Sequence, residues 1–583
     1  MKRRTARTAP ALLVCLAAAS VALIPSSVSA DRDRPLDGIK HVVVIYEENH
    51  SFDNLYGTWG DVSGDHVTGL ADATPANSTQ VDSAGAAYPC LLMSDVNVMS
   101  PPLSPDCSGD TFSFGTGKPT TAYHFGNAPF NIDAFIPATA TTCPIATELF
   151  SHPFGVLDGR GRSGGCTRDL VHRFYQEQYQ LNGGQQNRYV TGSDSAGMTM
   201  GYYDTTQLPI YQYLHSRKAP NYVVLDQFFQ AAFGGSFLNH QYLVAAAAPP
   251  FAAGTHAVLD SNGFPNATYP LYTPTNAVVD GAVTQACGLP TTVAGFACGD
   301  VAVNTVQPPF QPTSPFGAKM PLVDDTTTPL TIGDRLTDAH VSWAWYAGGW
   351  DNAAGNVAGR GWTNGTGPTC SDPNSVPAAP DLAGQGGFPY CPDLSFQTHH
   401  QPFNYYARYA PGQPDRSHLR DEQDFLRAAK TGKLPAVSFV KPLGNENEHP
   451  GYASEANGSD HLVDLIKAIE NGPQAKSTLI VVTYDEFGGQ WDHVSPPGMG
   501  TTQGVHDEFG PGTRIPALVI GRGIEHSGVD HTVYDTTSIM RTIEAQWHLQ
   551  PVAARDAAVN DLGPAVNDDG HGDRGDDHHG GHG

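Results

Sequence analysis

Beyond its first thirty residues, the 583-residue sequence lacks any apolar run long enough to cross a bilayer. A membrane-spanning helix needs roughly 20 consecutive apolar residues, so this absence argues against an integral membrane protein. Residues 1–30 differ, because a basic start is followed by an apolar stretch at about 9–24 and by small residues before Asp31. This arrangement is typical of a cleaved signal peptide. We therefore expect residues 1–30 to direct export, which makes the protein secreted or periplasmic, without stable membrane insertion.

The route of export is less sharply indicated. The pair Arg3-Arg4 is a feature of twin-arginine signals, but the residues after it, Thr5-Ala6-Arg7, fit that signal poorly. Ordinary secretion is therefore favoured, and the twin-arginine route stays open.

Positive charge is also scarce, since 32 lysines and arginines face 58 aspartates and glutamates, which gives a formal net charge of −26. The expected signal peptide carries four of those positive charges and no acids, so its removal leaves a net charge of about −30. Such a surface repels phosphate backbones, and nucleic acid is therefore not an expected partner. A small anionic substrate is not excluded, because a bound metal can reverse the local field.

Cysteine is rare and never occurs in a CxxC spacing, which argues against a zinc–thiolate site. One of the nine cysteines, Cys15, lies in the expected signal peptide, and an even set of eight remains. An even number of cysteines in an exported protein predicts disulfide bonds. Neighbour pairing is the simplest hypothesis, with Cys287–Cys298 first because its loop is short, but the sequence does not determine the connectivity. The other six cysteines are Cys90, Cys107, Cys143, Cys166, Cys370 and Cys391.

A clear interdomain linker is missing as well. Glycine, proline and asparagine are spread along the chain and are not concentrated at one boundary. We therefore predict a single large, loop-rich domain over residues 31–560. The last residues are almost all aspartate, glycine and histidine, so we expect residues 561–583 to form a disordered tail.

Six short, continuous apolar runs are the clearest signal of secondary structure. Runs of this kind predict strands that are buried on both faces, as parallel strands covered by helices are. Helical periodicity lies between them, for example at 461–470 and 537–548. The predicted fold is α/β, with a largely parallel central sheet, helices on both faces and long loop insertions. The predicted strands are at 41–46, 222–225, 341–346, 436–440, 478–483 and 517–520.

Acidic and amide side chains follow two of these strands. Glu48 and Asn49 come just after the first strand, and Asp485 and Glu486 follow the strand at 478–483. Because ligands gather beyond the carboxyl ends of parallel strands, we expect these side chains to lie close together. Carboxylate and amide oxygens suit a hard or borderline divalent cation. A single acidic strand end is usually an ordinary solvated loop, but two such ends in one chain favour a metal site.

A third strand, at 222–225, leads through Gly234-Gly235 to Ser236, where we expect a helix to begin at or just after the serine. Unpaired backbone N–H groups at a helix N-terminus favour phosphate binding. A serine hydroxyl is a weak nucleophile until a metal or a base activates it, so Ser236 is a candidate nucleophile beside the metal site. The alternative is structural, because serine is a common helix N-cap and Gly-Gly-Ser is a common turn.

Histidines are candidates for proton transfer and for phosphate binding. Asp169 and His172 lie three residues apart, His399 and His400 are adjacent, and His449 follows the strand at 436–440. A histidine beside phosphate can donate hydrogen bonds or protonate a leaving alkoxide. Taken singly, each of these histidines is more often structural than catalytic.

These segments form an ordered set of motifs that resembles the bacterial phosphoesterase family, which contains acid phosphatases and nonspecific phospholipases C. The similarity extends from about residue 39 to residue 551, and the ordered set is far more specific than any one motif. The matching motifs are Glu48-Asn49-x-Ser51-Phe52-Asp53, Gly235-Ser236-x-x-Asn239, His399-His400-Gln401-Pro402-Phe403, Lys441-Pro442-x-Gly444-x-x-x-Glu448-His449-Pro450-Gly451 and Asp485-Glu486 with Trp491-Asp492-His493.

The resemblance implies an alkaline-phosphatase-like core and assigns residues to roles. It implies that the metal ligands are Glu48, Asn49, Asp485 and Glu486. It implies that the catalytic residues are Ser236 as the nucleophile, with His172, His400 and His449. It places in the substrate-binding pocket Asp169, Asn239, Asp492 and His493. The individual roles of the pocket histidines are not fixed by it.

Two features place the chain closer to the acid phosphatase branch of that family. Phospholipase members typically carry threonine where this chain has Ser236. Long phospholipase members also carry C-terminal domains, and we expect none here because the chain ends soon after Pro551.

The sequence therefore predicts a secreted, metal-dependent phosphomonoesterase that acts on a small phosphoester through a phosphoserine intermediate. Its cofactor is a divalent cation, with Ca²⁺, Mg²⁺, Mn²⁺ and Zn²⁺ all open. The first alternative is a phospholipase C that cleaves phosphatidylcholine-type phosphodiesters and binds a phospholipid head group, with Tyr202-Tyr203, Phe228-Phe229 and Phe233 as an apolar mouth. The second alternative is a non-catalytic surface protein whose acids hold structural calcium.

Overall fold

The computed structural model describes residues 36, 38–82, 84–93, 123–133, 138, 169–193, 196–252, 256–261, 263, 281–314, 319–320, 323, 331–363, 396–450 and 453–567. Its centre is an eight-stranded sheet. In chain order the strands are β1 (His41–Glu47), β2 (Tyr222–Leu225), β3 (Trp343–Ala347), β4 (Leu419–Asp421), β5 (Val437–Lys441), β6 (Thr478–Tyr484), β7 (Ala517–Ile520) and β8 (Gly528–Asp530). Their order across the sheet is β4-β3-β5-β1-β6-β7-β2-β8.

Seven of the eight strands run in the same direction. β1 pairs in parallel with β5 and with β6, with Val42 opposite Val437 and Val43 opposite Ile480. Only β7 is reversed, and it is antiparallel to both of its neighbours, β6 and β2. Because β2 is antiparallel to β7, it points the same way as β6. The carboxyl ends of β1, β2, β5 and β6 therefore lie at one edge of the sheet.

The central strands are held by burial of their apolar side chains. In β1 the residues from Val42 to Ile45 are each 1% exposed or less, and β5 and β6 are buried along their whole length. Complete burial of a valine or isoleucine side chain contributes about 1.5–3 kcal/mol, so the centre of the sheet is the rigid part of the fold.

Twelve α-helices surround the sheet in the described residues. They are α1 (Phe52–Leu55), α2 (Pro75–Ser78), α3 (Phe174–Leu181), α4 (Pro209–Leu214), α5 (Ser236–Ala245), α6 (Ile332–Asp338), α7 (Trp350–Ala354), α8 (Glu422–Thr431), α9 (Glu455–Glu470), α10 (Thr537–Trp547), α11 (Ala554–Ala558) and α12 (Gly563–Asn567). The helix α9 contacts α4 and α8, whereas α10 contacts α5 and α11.

The two groups of helices cover opposite faces of the sheet. Tyr46 and Glu47 are consecutive in β1, so their side chains point to opposite faces. Tyr46 packs against His240 of α5, with ring centroids 4.9 Å apart. Glu47 instead interacts electrostatically with His461 of α9 and Glu422 of α8. The predicted α/β fold with a mostly parallel, helix-flanked sheet is confirmed.

Four two-stranded ribbons lie outside the main sheet. They pair Tyr534–Asp535 with Phe228–Phe229, Leu91–Met93 with Tyr123–Phe125, Phe130–Asn131 with Gly201–Tyr202, and His256–Ala257 with Val283–Gln285. No described helix combines the length and the hydropathy that a bilayer crossing needs.

The predicted disulfide Cys287–Cys298 is confirmed. Cys90 is also disulfide-bonded. The expected signal peptide at 1–30 and most of the expected tail at 561–583 lie outside the described residues. The same is true of the other cysteines, which are Cys15, Cys107, Cys143, Cys166, Cys370 and Cys391.

All six predicted strands are confirmed, with ends that shift by no more than two residues. The helix predicted at 461–470 begins earlier, at Glu455, because Ser454 caps it by accepting a hydrogen bond from the Asn457 N–H at 3.1 Å. The strands β4 and β8 were not predicted. Each has only three residues and includes an aspartate, so neither produces an apolar run.

Candidate active site

Four parallel strands bring polar side chains to one edge of the sheet. Two loops begin where β1 and β6 end, a lysine closes β5, and the helix α5 starts after β2. The side chains collected there are each 4% exposed or less. They are Glu48, Asn49, Ser236, Lys441, Asp485 and Glu486. Segments that are far apart in the sequence therefore converge as the strand pattern predicted.

The hydroxyl of Ser236 lies between two of these loops. Ser236 is the first residue of α5, after Gly235 at the N-cap. Its Oγ is 3.3 Å from Glu48 Oε2 and 3.4 Å from Glu486 Oε1. The hydroxyl is thus within hydrogen-bond distance of carboxylates that follow β1 and β6.

Asn239 supports the turn that precedes Ser236. Its Oδ1 accepts a hydrogen bond from the Ala232 N–H at 3.0 Å, and its Nδ2 donates to the carbonyls of Gly234 and Gly235 at 3.2 and 3.3 Å. The side chain is fully buried. These contacts use both the oxygen and the nitrogen of the amide, so Asn239 stabilises the backbone of the turn.

Three carboxylates, those of Glu48, Asp485 and Glu486, are packed together without solvent exposure. Burial, followed by the charge of neighbouring carboxylates, raises the pKa of Asp485 and of Glu486 well above the usual range. A buried cluster of this kind needs compensating positive charge. Lys441 supplies one such charge through an ion pair between its Nζ and Glu48 Oε1.

Asn49 adds an amide group to the buried carboxylates. Its φ of 59° lies in the left-handed region, which asparagine tolerates better than most residues. Its backbone N–H donates to Asp485 Oδ1 at 3.0 Å. Among the described residues, neither its side-chain amide nor Asp485 Oδ2 has a hydrogen-bond partner, and leaving such a buried group unpaired costs about 1–3 kcal/mol. Oxygens left in this state fit a divalent metal, whose identity they do not determine.

His240 belongs to the site although the sequence analysis did not select it. Its Nε2 is 3.8 Å from Glu48 Oε1, and its Nδ1 is 3.7 Å from Asp485 Oδ2. Glu48, His240 and His400 offer ligand atoms within 4.8 Å of one another. The sequence signal was available, because His240 lies four residues after Ser236 and so on the same helix face.

Lys441 was also missed as a site residue. Its Nζ donates to the backbone carbonyl of Tyr46 at 2.8 Å, in addition to its ion pair with Glu48. The side chain is 2% exposed. A lysine at the end of a buried apolar strand is itself the signal, because an ammonium group there must find a partner inside the protein.

His172 faces the carboxylates. Its Nε2 is 3.4 Å from Glu486 Oε1, and its Nδ1 is 2.5 Å from the Leu170 carbonyl and 3.6 Å from Asp169 Oδ1. With the Nδ1 proton directed to these oxygens, Nε2 presents a lone pair to a carboxylate. Burial lowers the pKa of His172, which favours the neutral ring. A lone pair opposite a carboxylate requires a proton or a cation between the two, and this need also fits a metal.

His400 and His449 lie next to each other, with nearly parallel rings whose centroids are 6.5 Å apart. His400 Nδ1 is 2.9 Å from Glu48 Oε1, and His449 Nδ1 is 2.7 Å from the Pro450 carbonyl. Burial lowers the pKa of both rings well below the usual range. In each ring an oxygen acceptor fixes the Nδ1 proton, so Nε2 is the nitrogen directed elsewhere.

Asp492 and His493 belong to a neighbouring network around Arg514. Arg514 Nη2 donates to Asp53 Oδ1 at 2.9 Å, and its Nε donates to Asp492 Oδ1 at 3.0 Å. His493 Nδ1 is 2.6 Å from Asp53 Oδ2. In the described part of the chain these contacts join α1 to the loop after β6. The structure thus groups Asp492 and His493 with each other and with Arg514.

A second group of ionisable side chains lies on the opposite face of the sheet. His461 Nε2 is 3.2 Å from Glu422 Oε2 and 3.9 Å from Glu446 Oε2. Burial lowers the pKa of His461, but the hydrogen bond and charge of Glu422 outweigh this effect and raise the pKa to about 9. His461 is therefore an imidazolium at neutral pH, which makes it an ion-pair partner and a poor metal ligand.

The raised pKa of His461 predicts a pH-dependent contribution to stability. The folded-state pKa of about 9 exceeds the ordinary value of 6.5, so the contribution is complete below pH 6.5 and is lost as the pH rises through 9. We expect His461→Gln to lower the free energy of unfolding by about 2 kcal/mol at pH 6 and by almost nothing at pH 10. Urea denaturation at both pH values measures this, and a pH-independent difference would contradict it.

A family model and several known proteins match this chain over long stretches. The family model described as "Phosphoesterase family" matches residues 39–550. The chain is 22% identical over 562 residues to "Phospholipase C B" of Mycobacterium tuberculosis (strain ATCC 25618 / H37Rv), across 91% of this chain and 78% of the relative. It is 28% identical over 176 residues to "Non-hemolytic phospholipase C" of Burkholderia pseudomallei (strain K96243), across 25% of each chain.

Among solved structures, the chain is similar to the PsFucS1 sulfatase from Pseudoalteromonas sp. The identity is 15%, the TM-score is 0.17, and the match covers 25% of this chain and 33% of that chain. A match this limited carries no structural argument, so the fold assignment depends on the sheet described above.

Proposed function

The chain belongs to the phosphoesterase family and is a hydrolase that acts on phosphoric ester bonds, and from this premise we propose that it is a metal-dependent phosphomonoesterase with Ser236 as its nucleophile. The observation that carries the proposal is the position of the Ser236 hydroxyl, 3.3 Å from Glu48 and 3.4 Å from Glu486. A non-catalytic calcium-binding protein gives no reason for a hydroxyl at this point.

Glu48, Asn49, Asp485 and Glu486 would hold the metal. This assignment is supported by the buried carboxylates and by the oxygens of Asn49 and Asp485 that have no hydrogen-bond partner in the described part of the chain. When bound, a divalent cation there lowers the pKa of a nearby hydroxyl and neutralises phosphate charge. Oxygen ligands alone favour Ca²⁺, Mg²⁺ or Mn²⁺, whereas an added imidazole, from His240 or His400, favours Zn²⁺.

Protein side chains carry out the nucleophilic attack and stabilise the charge that develops on the phosphoryl group. Ser236 Oγ gives up its proton toward a carboxylate oxygen of Glu48 or Glu486 and attacks phosphorus in line, which forms a phosphoserine. Lys441 stabilises the negative charge on the equatorial oxygens, and His172 and His400 add to this once the anionic substrate favours uptake of a proton at Nε2.

We assign the protonation of the leaving oxygen to His449. The hydrogen bond from its Nδ1 to the Pro450 carbonyl directs Nε2 away from that carbonyl. The neutral ring takes up a proton at Nε2 when the anionic phosphoester binds beside it, because a nearby negative charge favours the imidazolium. It gives that proton to the ester oxygen as this departs, and the neutral ring then accepts a proton from the water that cleaves the phosphoserine. Asp169 orients His172, and Asn239 holds the turn before Ser236.

The second candidate function is that of a phospholipase C, because the curated relatives that match most of the chain carry that name. A lipid substrate favours an apolar mouth, but four of the five aromatic residues suggested for it are in the core, and only Tyr202 is half-buried. Tyr203, Phe228, Phe229 and Phe233 are each 1% exposed or less. Burial of these rings supports a small, soluble phosphoester as the substrate.

We also propose that the enzyme acts outside the cytoplasm. The N-terminal thirty residues have the composition of an export signal. The disulfide Cys287–Cys298 supports this, because such bonds persist in oxidising compartments.

A phosphoester panel on metal-depleted protein, with single cations added back, tests the proposal. We expect chelation to abolish turnover and one or more of Ca²⁺, Mg²⁺, Mn²⁺ and Zn²⁺ to restore phosphate release from p-nitrophenyl phosphate. We expect kcat/KM for that monoester to exceed kcat/KM for phosphocholine release from phosphatidylcholine by at least about 100-fold. Circular dichroism of the depleted protein controls for unfolding.

Either half of the proposal can fail in this experiment. Faster release of phosphocholine than of phosphate would assign the chain to phospholipase C. Full turnover after chelation, with metal content verified, would remove the cation from the mechanism.

A further inference from the structure

Glu177, in the middle of α3, has a fully buried carboxyl group and is not one of the candidate active-site residues. Each of its two carboxyl oxygens accepts two hydrogen bonds. Oε2 accepts from the Gly234 N–H at 2.5 Å and from Gln230 Nε2 at 2.9 Å. Oε1 accepts from the Thr513 N–H at 2.7 Å and from the Thr513 hydroxyl at 2.8 Å. One side chain therefore ties α3 to two distant loops.

The first of these loops is the turn that leads directly into Ser236. Gly234 has a φ of 87°, in the left-handed region, and a Cβ at this position would lie 2.6 Å from the backbone nitrogen of Phe174, the first residue of α3. The turn is thus pressed against the helix that carries Glu177. A shift of the Gly234 N–H is transmitted over only two residues to the Ser236 hydroxyl.

Gln230 extends the connection to the loop after β6. Its Nε2 donates to Glu177 and to the Gly234 carbonyl, the latter at 3.2 Å. Its Oε1 accepts a hydrogen bond from the Phe487 N–H at 2.9 Å. Phe487 directly follows Glu486, whose carboxylate lies 3.4 Å from Ser236 Oγ. Glu177 and Gln230 therefore set the spacing between the serine and that carboxylate.

The partners of Glu177 explain why a carboxyl group is needed there, although burial raises its pKa to about 8. The carboxyl group receives two N–H groups from the backbone, an amide N–H from Gln230 and the hydroxyl of Thr513. Only a carboxylate accepts at both ends of the group, since a glutamine would turn an NH₂ toward other donors. Burial of a charged group is costly, and a role in packing alone would be filled at lower cost by an apolar side chain.

We propose that Glu177 is a positioning residue that fixes Ser236 relative to Glu486 through Gly234 and Gln230. The inference rests on the proposed function, because it concerns the same serine. It assigns no contact between Glu177 and the substrate. Its effect is on the alignment of the attacking oxygen.

The test is Glu177→Gln, assayed with p-nitrophenyl phosphate well below the unfolding temperature. A misplacement of about 1 Å costs roughly 100-fold in rate, so we expect kcat to fall by about 100-fold while KM changes less than about threefold. Vanadate mimics the five-coordinate transition state. We therefore expect the inhibition constant of vanadate to rise in step with the loss in kcat and that of phosphate to stay near wild type.

Hydrogen–deuterium exchange of the metal-free protein gives a readout that does not depend on activity. We expect faster exchange in peptides that contain the amides of Gly234, Thr513 and Phe487 and unchanged exchange in the strands β1 and β6. Gln178→Glu is the matched control, because it places a carboxylate on the same helix at a half-buried position. It should leave kcat and the exchange of these peptides unchanged.

Several outcomes would overturn the inference. Wild-type kcat and vanadate inhibition in Glu177→Gln would do so, and so would equal weakening of phosphate and vanadate binding. If Glu177→Gln does not fold, Gln230→Met breaks the same connection and must lower kcat with unchanged KM, or the inference is wrong. Full activity of Ser236→Ala would defeat the proposed function itself, whereas an inactive Ser236→Ala beside a fully active Glu177→Gln would defeat only this inference.

Discussion

Ser236→Ala is expected to lower kcat for p-nitrophenyl phosphate by at least about 10⁴-fold, the scale seen when a covalent nucleophile is removed. The physical reason is the loss of the oxygen that attacks phosphorus, since alanine leaves the carboxylates of Glu48 and Glu486 in place without it. Initial rates at saturating substrate and cation measure the effect. Acid-quenched wild-type enzyme should also contain a phosphorylated peptide that includes residue 236, and the alanine variant should not.

Metal content and a matched serine control this result. Bound cation in Ser236→Ala, measured after dialysis, should equal that of the wild type because the hydroxyl is not among the proposed ligands. Ser495→Ala removes another buried hydroxyl, one that lies 3.1 Å from Thr502 Oγ1. It should retain activity within about threefold of wild type. Turnover by Ser236→Ala near the wild-type rate would show that a different group attacks phosphorus.

The second large effect is on stability and comes from Arg514. We expect Arg514→Met to lower the free energy of unfolding by about 3–5 kcal/mol, because it strands the buried carboxylates of Asp53 and Asp492 without their cation. Arg514 is completely buried and also donates to the carbonyls of Thr68 and Asp226 at 2.7 and 2.9 Å. Urea denaturation at pH 7 measures the loss.

Arg522→Met is the matched control for Arg514→Met. Arg522 pairs with Glu470 at 2.8 Å, but its side chain is 49% exposed. We expect that variant to lose less than about 1 kcal/mol, because water screens an exposed ion pair. Equal losses in the two variants would contradict the role assigned to the buried network.

The same pair of variants bears on Asp492 and His493. The resemblance places these residues in the substrate pocket, whereas their contacts in the structure are with Asp53 and Arg514. If they act through the network, Arg514→Met should change stability more than KM.

Much of the fold was predictable because its core elements have a local signature. The run from Val42 to Ile45 is continuously apolar and β-branched, and such a run is stable only when both of its faces are covered. The order of β1 and β6 beside each other was not predictable in the same way. Strand pairing depends on which distant segments bury the most surface together, and no local pattern records that choice.

The candidate site also contains residues that the sequence predicted and residues that it did not. Glu48, Asn49, Asp485 and Glu486 were found because they directly follow recognisable strands. His240 was missed because its helix is buried on all sides, so hydrophobic periodicity did not single it out, although its spacing of four residues from Ser236 is visible in the sequence. Glu177 gave no signal either, because its partners Gly234 and Thr513 are 57 and 336 residues away.

The sequence alone determined the α/β class, the buried strands, the polar residues at their ends and the serine at a helix start, because each of these depends on residues that are near one another in the chain. The tertiary structure decided the strand order, the reversal of β7, the grouping of Asp492 and His493 with Arg514, and the distance of 3.3 Å between Ser236 and Glu48. These features depend on long-range packing, in which each segment is positioned by the others and by the burial they achieve together.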